Sequence, residues 1–272
     1  MINKEKLKRR FSRNAKHYDK YARVQKKMGD VLIENIKNNK MCFKNILEIG
    51  CGTGYVTRTL ARQFSHAKIT AVDIAPGMIE HVKSTVKDDS ISFICGDIEE
   101  IKLDNTYDLI ISNATFQWFN YLDITLEKLI TALNPKGMLC FSTFGQHTFC
   151  ELHQSFEKAR QIMNIAEPIT PGQAFYSLDE LLKLCQNVVS SKSMTSKILL
   201  QGKEMFEYEY FDCCKDFLYS VKKIGANNSN EEGNTISPAF IEKVIEIYDE
   251  SFRENSQVKA TYHCLFIQML LK

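Results

Sequence analysis

Glu48-Ile49-Gly50-Cys51-Gly52-Thr53-Gly54 closes a short apolar run at residues 44–49 (KNILEI) and leads directly into a segment of helical length at 55–64. A strand that ends in three alternating glycines and then turns into a helix is the opening unit of a parallel α/β sheet, because the glycines let the backbone reverse sharply. The same alternation continues outward. Apolar, β-rich runs at 68–74, 91–95, 107–112 and 138–144 are separated by segments of helical length, including 76–86. Residues 121–133, after an Asn120 cap, place Leu122, Leu126, Leu129, Ile130 and Leu133 on one stripe. Near-continuous apolar strands alternating with helices predict a parallel sheet covered on both faces, so the fold class is doubly wound α/β.

Beyond residue 145 the pattern loosens into helices. Ser177 with Glu180 forms a capping box that opens a helix at 178–186, and Ser237-Pro238 opens another with Phe240, Val244, Tyr248 and Phe252 in register. Strand-like runs at 196–201 and 258–271 are expected to close the sheet, and the polar, Gly/Asn-rich stretch 224–234 reads as a loop. The resulting division is a basic helical arm or lid at 1–40, a ligand-binding core at 41–145, helical acceptor-side insertions around a late core strand at 146–257, and a final core strand at 258–272, all within one domain.

Four strand ends carry the chemistry. The amides of the glycine turn face an electron-rich group, and Asp73, 19 residues beyond Gly54, ends the second strand where a carboxylate can accept both hydroxyls of a ribose. Gly96-Asp97-Ile98 ends the third strand, with the Asp97 carboxylate for an adenine amine and Ile98 for its ring. Asn113 ends the fourth. The spacing is G-x-G-x-G after an acid, not the G-x-G-x-x-G that seats a dinucleotide's pyrophosphate, so the expected ligand is a nucleoside without phosphates, with a nicotinamide dehydrogenase on the same fold as a rival reading.

Composition narrows the class. With 272 residues, 44% hydrophobic and 25% charged, collagen-like and disordered chains are excluded. No run approaches the roughly 18 apolar residues of a spanning helix, and the first residues carry no apolar signal region, so a cytoplasmic protein is expected. Nine cysteines, without a C-x-x-C pair or zinc spacing, read as reduced thiols, and no metal is expected. Charge is uneven: residues 1–27 hold eleven Lys and Arg against Glu5 and Asp19, making the arm +9 and the remainder −7. Such an arm is either a solvated helix face or a landing strip for an acidic macromolecule.

The glycine loop, the strand-two acid, the strand-three G-D-I and the strand-four Asn resemble those of the class I S-adenosylmethionine-dependent methyltransferases. A closer resemblance, over nearly the full length, is to the malonyl-acyl carrier protein O-methyltransferases of biotin synthesis. It is carried by Ala15-Lys16-His17-Tyr18-Asp19 with Ala22 and Gln25, by the segment 112–118 (SNATFQW), by Ile224-Gly225-Ala226 and by Thr261-Tyr262-His263.

The resemblance implies a mostly parallel, seven-stranded, Rossmann-like sheet and S-adenosylmethionine as cofactor. It implies cofactor contacts from Tyr18, Gln25, Glu48, Gly50, Gly52, Gly54, Asp73, Ile74, Met78, Asp97, Ile98 and Asn113. Acceptor-side roles fall to Tyr18, Gln117, Trp118, Tyr176, Tyr262 and His263, whose hydroxyl, amide, indole and imidazole groups sit on apolar bodies; as strand neighbours, at most one of Tyr262 and His263 is expected to reach a ligand. Lys222, Lys223 and Arg160 are weaker candidates. Tyr18 and Gln25 are expected to close as part of the lid. The implied partner is acidic malonyl-acyl carrier protein or malonyl-coenzyme A, with the +9 arm as docking face. The alternatives are a methyltransferase acting on tRNA or another small carboxylate, and a nucleoside-binding protein without turnover; the few aromatics in the arm speak against nucleic acid.

Overall fold

The computed structural model describes residues 1–39, 41–191, 198–226 and 236–272. Strands β1 (Asn45–Ile49), β2 (Lys68–Asp73), β3 (Ile91–Cys95), β4 (Tyr107–Ser112), β5 (Leu133–Phe144), β6 (Ile198–Phe211), β7 (Arg253–Glu254) and β8 (Gln257–Leu271) form one sheet. Its order is β3-β2-β1-β4-β5-β8-β6, with the two-residue β7 paired to β8. The first five strands run parallel, and β8 lies antiparallel between β5 and β6. The two-residue β7 was not expected; it is the short arm of a hairpin whose two turn residues, Asn255 and Ser256, both take positive φ, the requirement of a tight two-residue hairpin turn.

Two apolar layers cover the sheet because successive side chains point to opposite faces. Ile46, Leu109, Ile111, Met138 and Cys140 join the layer under helices α2 (Arg23–Asn38), α3 (Tyr55–Gln63), α6 (Cys150–Ile162) and α9 (Pro238–Ser251). Leu47, Ile49, Ile110, Leu139 and Phe141 join the other, under α5 (Leu122–Thr131) and α7 (Leu178–Ser191). The remaining helices are α1 (Lys4–Tyr21), α4 (Pro76–Thr85) and α8 (Cys214–Lys223). All nine cysteines are free, and no helix among the described residues is long and apolar enough to cross a membrane.

Local signals act where the sequence places them. The Ser177 hydroxyl accepts from the Glu180 amide at 3.2 Å while Glu180 accepts from the Ser177 amide at 2.8 Å, and Ser237 caps α9 through the Phe240 amide. Asn120 departs from expectation. It does not cap α5; its side chain pairs with Ile2, accepting from the Ile2 amide at 2.7 Å and donating to the Ile2 carbonyl at 3.0 Å, and α5 starts at Leu122. Leu133, expected on the helical stripe, begins β5. The strand expected at 196–201 runs on to Phe211; its residues 196–197, and residues 227–234 of the expected loop, lie outside the described residues.

Candidate functional site

The sheet order reverses between β1 and β4, so the strands' carboxyl ends open a crevice there. The glycine turn forms its floor. Gly50, Gly52 and Gly54 all take positive φ, and the Gly50 and Cys51 amides donate to the Val72 carbonyl at 2.8 and 3.0 Å, tying the turn to β2. A Cβ at Gly50 would lie 2.0 Å from Thr115 Oγ1, whereas one at Gly52 would meet nothing within 4 Å and would instead project into open space.

Asp73 faces the cavity that this turn lines. Its Oδ2 accepts from the Gly52 amide and its Oδ1 from the Ala75 amide, both at 2.8 Å. Each oxygen keeps a second lone pair, which is the pattern two adjacent hydroxyls require. Burial pushes the Asp73 carboxyl up to about 6, against the two amides, which lower it. Glu48 is also buried; its Oε2 has no hydrogen-bond partner among the described residues, and burial pushes it up to about 8.

Of the twelve positions expected to contact a cofactor, Tyr18, Gly50, Gly52, Asp73, Ile74, Met78, Asp97, Ile98 and Asn113 line the cavity. Gln25, Glu48 and Gly54 do not. Gln25 is buried and offers its backbone carbonyl to Asn113 Nδ2 at 2.8 Å. Gly54 turns toward α4, where a Cβ would meet Val82 at 2.5 Å. Asn113 is itself held at both ends, since its Oδ1 accepts from Ser142 at 2.7 Å; it fixes α2 against β4 and β5 as much as it borders the cavity.

Helix α1 roofs the cavity, and this is where the sequence reading was least complete. Lys4, Leu7 and Phe11 line it together with Tyr18, as do Thr115 and Phe119. Lys4 Nζ lies 3.1 Å from Asp97 Oδ2 and also contacts Glu99, occupying the carboxylate expected to meet an adenine amine. Further ties hold the roof down: Thr53 Oγ1 donates to Asp19 at 2.6 Å and the Gly77 amide to Ser12 at 3.1 Å. The spacing of Leu7 and Phe11, one helical turn apart on a basic helix, is the signal that was available. Burial, with Asp73 and Asp19 nearby, raises the Tyr18 pKa and keeps its phenol protonated.

The acceptor-side candidates divide three ways. Trp118 borders the cofactor cavity, its ring 5.8 Å from Phe11, whereas its neighbour Phe116 is core, stacked on Phe141 at 3.9 Å. Gln117 and Tyr176 line a broad groove between α5 and α7 that adjoins the cavity at Phe119. Gln117 accepts from Thr143 at 3.0 Å and donates to the Ala114 carbonyl at 2.7 Å, leaving one amide proton. Tyr262 and His263 line neither. Alternation along β8 sends them to opposite faces: the buried Tyr262 hydroxyl bonds Glu209 at 2.7 Å, and the buried His263 bonds Glu204 at 2.9 Å and stacks on Phe206. Arg160 is spent on Glu157 and two backbone carbonyls. No cluster of metal-ligating side chains occurs among the described residues.

Residues 46–137 match a family model described as a methyltransferase domain. The chain is 48% identical to the malonyl-[acyl-carrier protein] O-methyltransferase of Acetivibrio thermocellus, over 98% of this chain and 94% of that protein. It is also 48% identical to the enzyme of the same name from Priestia megaterium, over 99% of this chain and 98% of that one. Among solved structures, the YcgJ protein of Bacillus subtilis superposes with a TM-score of 0.59 at 14% identity, covering 89% of this chain and 97% of that one. The plantazolicin methyltransferase BpumL in complex with a pentazolic desmethylPZN analog and SAH gives 0.52 at 15% identity, covering 99% and 96%. These structural matches establish the shared fold.

Proposed function

Because the chain belongs to the malonyl-[acyl-carrier protein] O-methyltransferase family, we propose that it methylates the free carboxylate of a malonyl thioester on acyl carrier protein, as a step of biotin synthesis. The observation that carries this reading is the extent of the identity. The methyltransferase-domain match stops at residue 137, within the cofactor half, whereas the relatives match 98% of the chain or more and so include the acceptor half. S-adenosylmethionine, when bound, supplies an electrophilic methyl carbon.

The chain's residues have positioning to do and little proton transfer. Asp73 takes the ribose hydroxyls on its two free lone pairs, Gly52 leaves room for the sugar by having no side chain, and Ile98 and Phe119 cover the base. A malonyl half-ester's carboxyl, with a reference pKa of about 4, is almost fully ionised at neutral pH, so no general base is required. Gln117, with one unspent amide proton, and Tyr176 can orient the carboxylate at the mouth of the groove. Neither carries a charge that would hold the anion so firmly as to blunt it. Orientation of this kind is worth about 7–11 kcal/mol of barrier.

Entry and exclusion of water fall to α1. As it lies, the roofed cavity holds about 80 Å³, well below the roughly 300 Å³ at the small end of ligand pockets. Lys4, Leu7 and Phe11 therefore swing outward to admit a nucleoside, and their return dries the site. The test is to incubate the protein with S-adenosylmethionine and malonyl-acyl carrier protein and to follow the intact carrier by mass spectrometry. The expected result is the mass gain of one methyl ester; no ester on either carrier protein or coenzyme A refutes the reading.

A further inference from the structure

Helices α1 and α8 lie side by side. Gly225, just past the end of α8, takes positive φ, and a Cβ there would stand 3.3 Å from the Arg10 carbonyl group. Asn14 of α1 donates to the Arg10 carbonyl and reaches the Lys222 carbonyl at 3.4 Å. Between the helices is a cleft lined by Arg9, Arg10 and Arg13 from one side and by Tyr219, Lys222 and Lys223 from the other, with no carboxylate among its described lining residues. Lysines in the last turn of a helix are ordinary by themselves, since they oppose its dipole. Guanidiniums facing them are not: Arg9 and Arg13 bring two more like charges to the same concavity. Desolvation and the adjacent Arg9 lower the Arg10 pKa.

The contrast with the rest of the arm is informative. Lys4, Lys8 and Lys27 are each matched to a carboxylate, on Asp97 and Glu99, Glu5 and Glu207 respectively. Position matters too. Phe11, one residue from Arg10, borders the cofactor cavity on the other side of α1, so the cleft and the cavity stand about one helix diameter apart, on the order of 10 Å.

We propose that the cleft between α1 and α8 is a phosphate subsite, holding the phosphodiester through which the malonyl thioester arm is joined to its carrier. Guanidinium forks meet phosphate oxygens in pairs, and lysines add point charge. A concave cluster of this size fits a small, multiply accepting anion better than the broad ridge of an acidic helix. The proposal rests on the malonyl-thioester reading for the identity of the arm, but its test does not depend on turnover.

The test compares carrier protein bearing the phosphopantetheine arm with carrier protein lacking it, bound to the wild-type protein and to the triple variant Arg13→Gln/Lys222→Gln/Lys223→Gln. Binding can be followed by emission of Trp118, the chain's one tryptophan, which lies against Phe11. The wild type is expected to bind the armed carrier at least tenfold more tightly than the bare one, and the variant to lose that preference while keeping the wild-type melting temperature. Lys222→Arg/Lys223→Arg should retain it.

The source of the phosphate is separated by kinetics with malonyl-carrier protein, malonyl-coenzyme A and the phosphate-free malonyl-N-acetylcysteamine. In the variant, KM should rise tenfold or more for phosphate-bearing substrates and stay unchanged for the phosphate-free one. A rise confined to the carrier protein assigns the subsite to the protein-linked arm, and a rise for both assigns it to either phosphate. An equal loss for bare and armed carrier, an armed-carrier preference that survives in the variant, or no preference in the wild type overturns the proposal. Wild-type binding of the armed carrier without ester formation would instead refute the function and leave the subsite standing.

Discussion

Asp73 concentrates the chemistry of the site in one side chain. Its carboxyl stands at about 6, above the ordinary 3.8, because burial disfavours its charge. Between about pH 4 and 6 the folded protein therefore binds a proton that the unfolded chain does not, so ionisation of this group costs stability above pH 6 and acidification relieves that cost. Ligand binding runs the other way, because the ionised form is the one that accepts two ribose hydroxyls. Affinity for S-adenosylhomocysteine is expected to be flat above about pH 7 and to fall below pH 6 by up to about tenfold per pH unit, the limit for one proton. In Asp73→Asn the affinity should be lower by roughly 10- to 150-fold at pH 7.5, from about 1.5–3 kcal/mol of charged hydrogen bonding, and should show no such slope. Calorimetric titration from pH 5 to 8 checks both. A wild-type slope that persists in the Asn variant would assign the titration to another group.

At this scale the sequence was legible where chemistry and backbone coincide. The glycine turn and Asp73 are local features: a strand end, a bend and an acid at a fixed remove. Tyr262 and His263 were harder to place: alternation, which allowed at most one of them to reach a ligand, sends them to opposite faces, and Glu209 and Glu204, their partners, come from the neighbouring strand.

At the scale of elements, α1 differs from every helix that packs against the sheet. It buries only Leu7 and Ala15, whereas α2 buries seven residues. Its anchorage is mostly polar, through Lys4, Ser12, Asp19 and the pairing of Ile2 with Asn120. Asn120→Ala removes two hydrogen bonds worth about 0.5–1.5 kcal/mol each. Amides in the first two turns of α1 are expected to exchange about 5- to 150-fold faster, with β1 and β4 unchanged, as hydrogen-exchange mass spectrometry would show. Unchanged rates in α1 would mean that Asn120 does not hold the roof.

The same helix shows why a roof is hard to read from sequence: its charge suggested a solvated or docking face, and nothing local announced that Lys4 would reach Asp97 across the molecule. Strand β6 was cut short by a related inversion. In its second half Glu207 and Glu209 point inward to Lys27 and Tyr262 while Phe206, Tyr208 and Tyr210 are exposed, so the hydrophobic alternation is out of phase with burial.

For the whole molecule, the doubly wound order follows from the alternation of two periods along residues 44–144, and the positions of β8 and β6 follow from pairings that no local pattern states. The ligand crevice lies where the order of the parallel strands reverses, between β1 and β4, so a bound nucleoside bridges β1, β2, β3 and β4 and couples to global unfolding. At a free concentration one hundred times its Kd, S-adenosylhomocysteine should stabilise the fold by about 2.7 kcal/mol, which at about 2–4 °C per kcal/mol raises Tm by roughly 5–10 °C. Scanning calorimetry with and without the nucleoside measures this. An unshifted Tm at that saturation would remove the nucleoside site from the crevice.

The antiparallel strand β8 has a consequence for how the chain is made. It is wedged between β5, which ends at Phe144, and β6, yet it begins only at Gln257. A ribosome therefore exposes β5 with its outer backbone groups unmatched throughout the translation of everything between, and β6 emerges with no neighbour to receive it. Both halves of the sheet keep an open, mispairing-prone edge during that interval and join only when this late segment arrives.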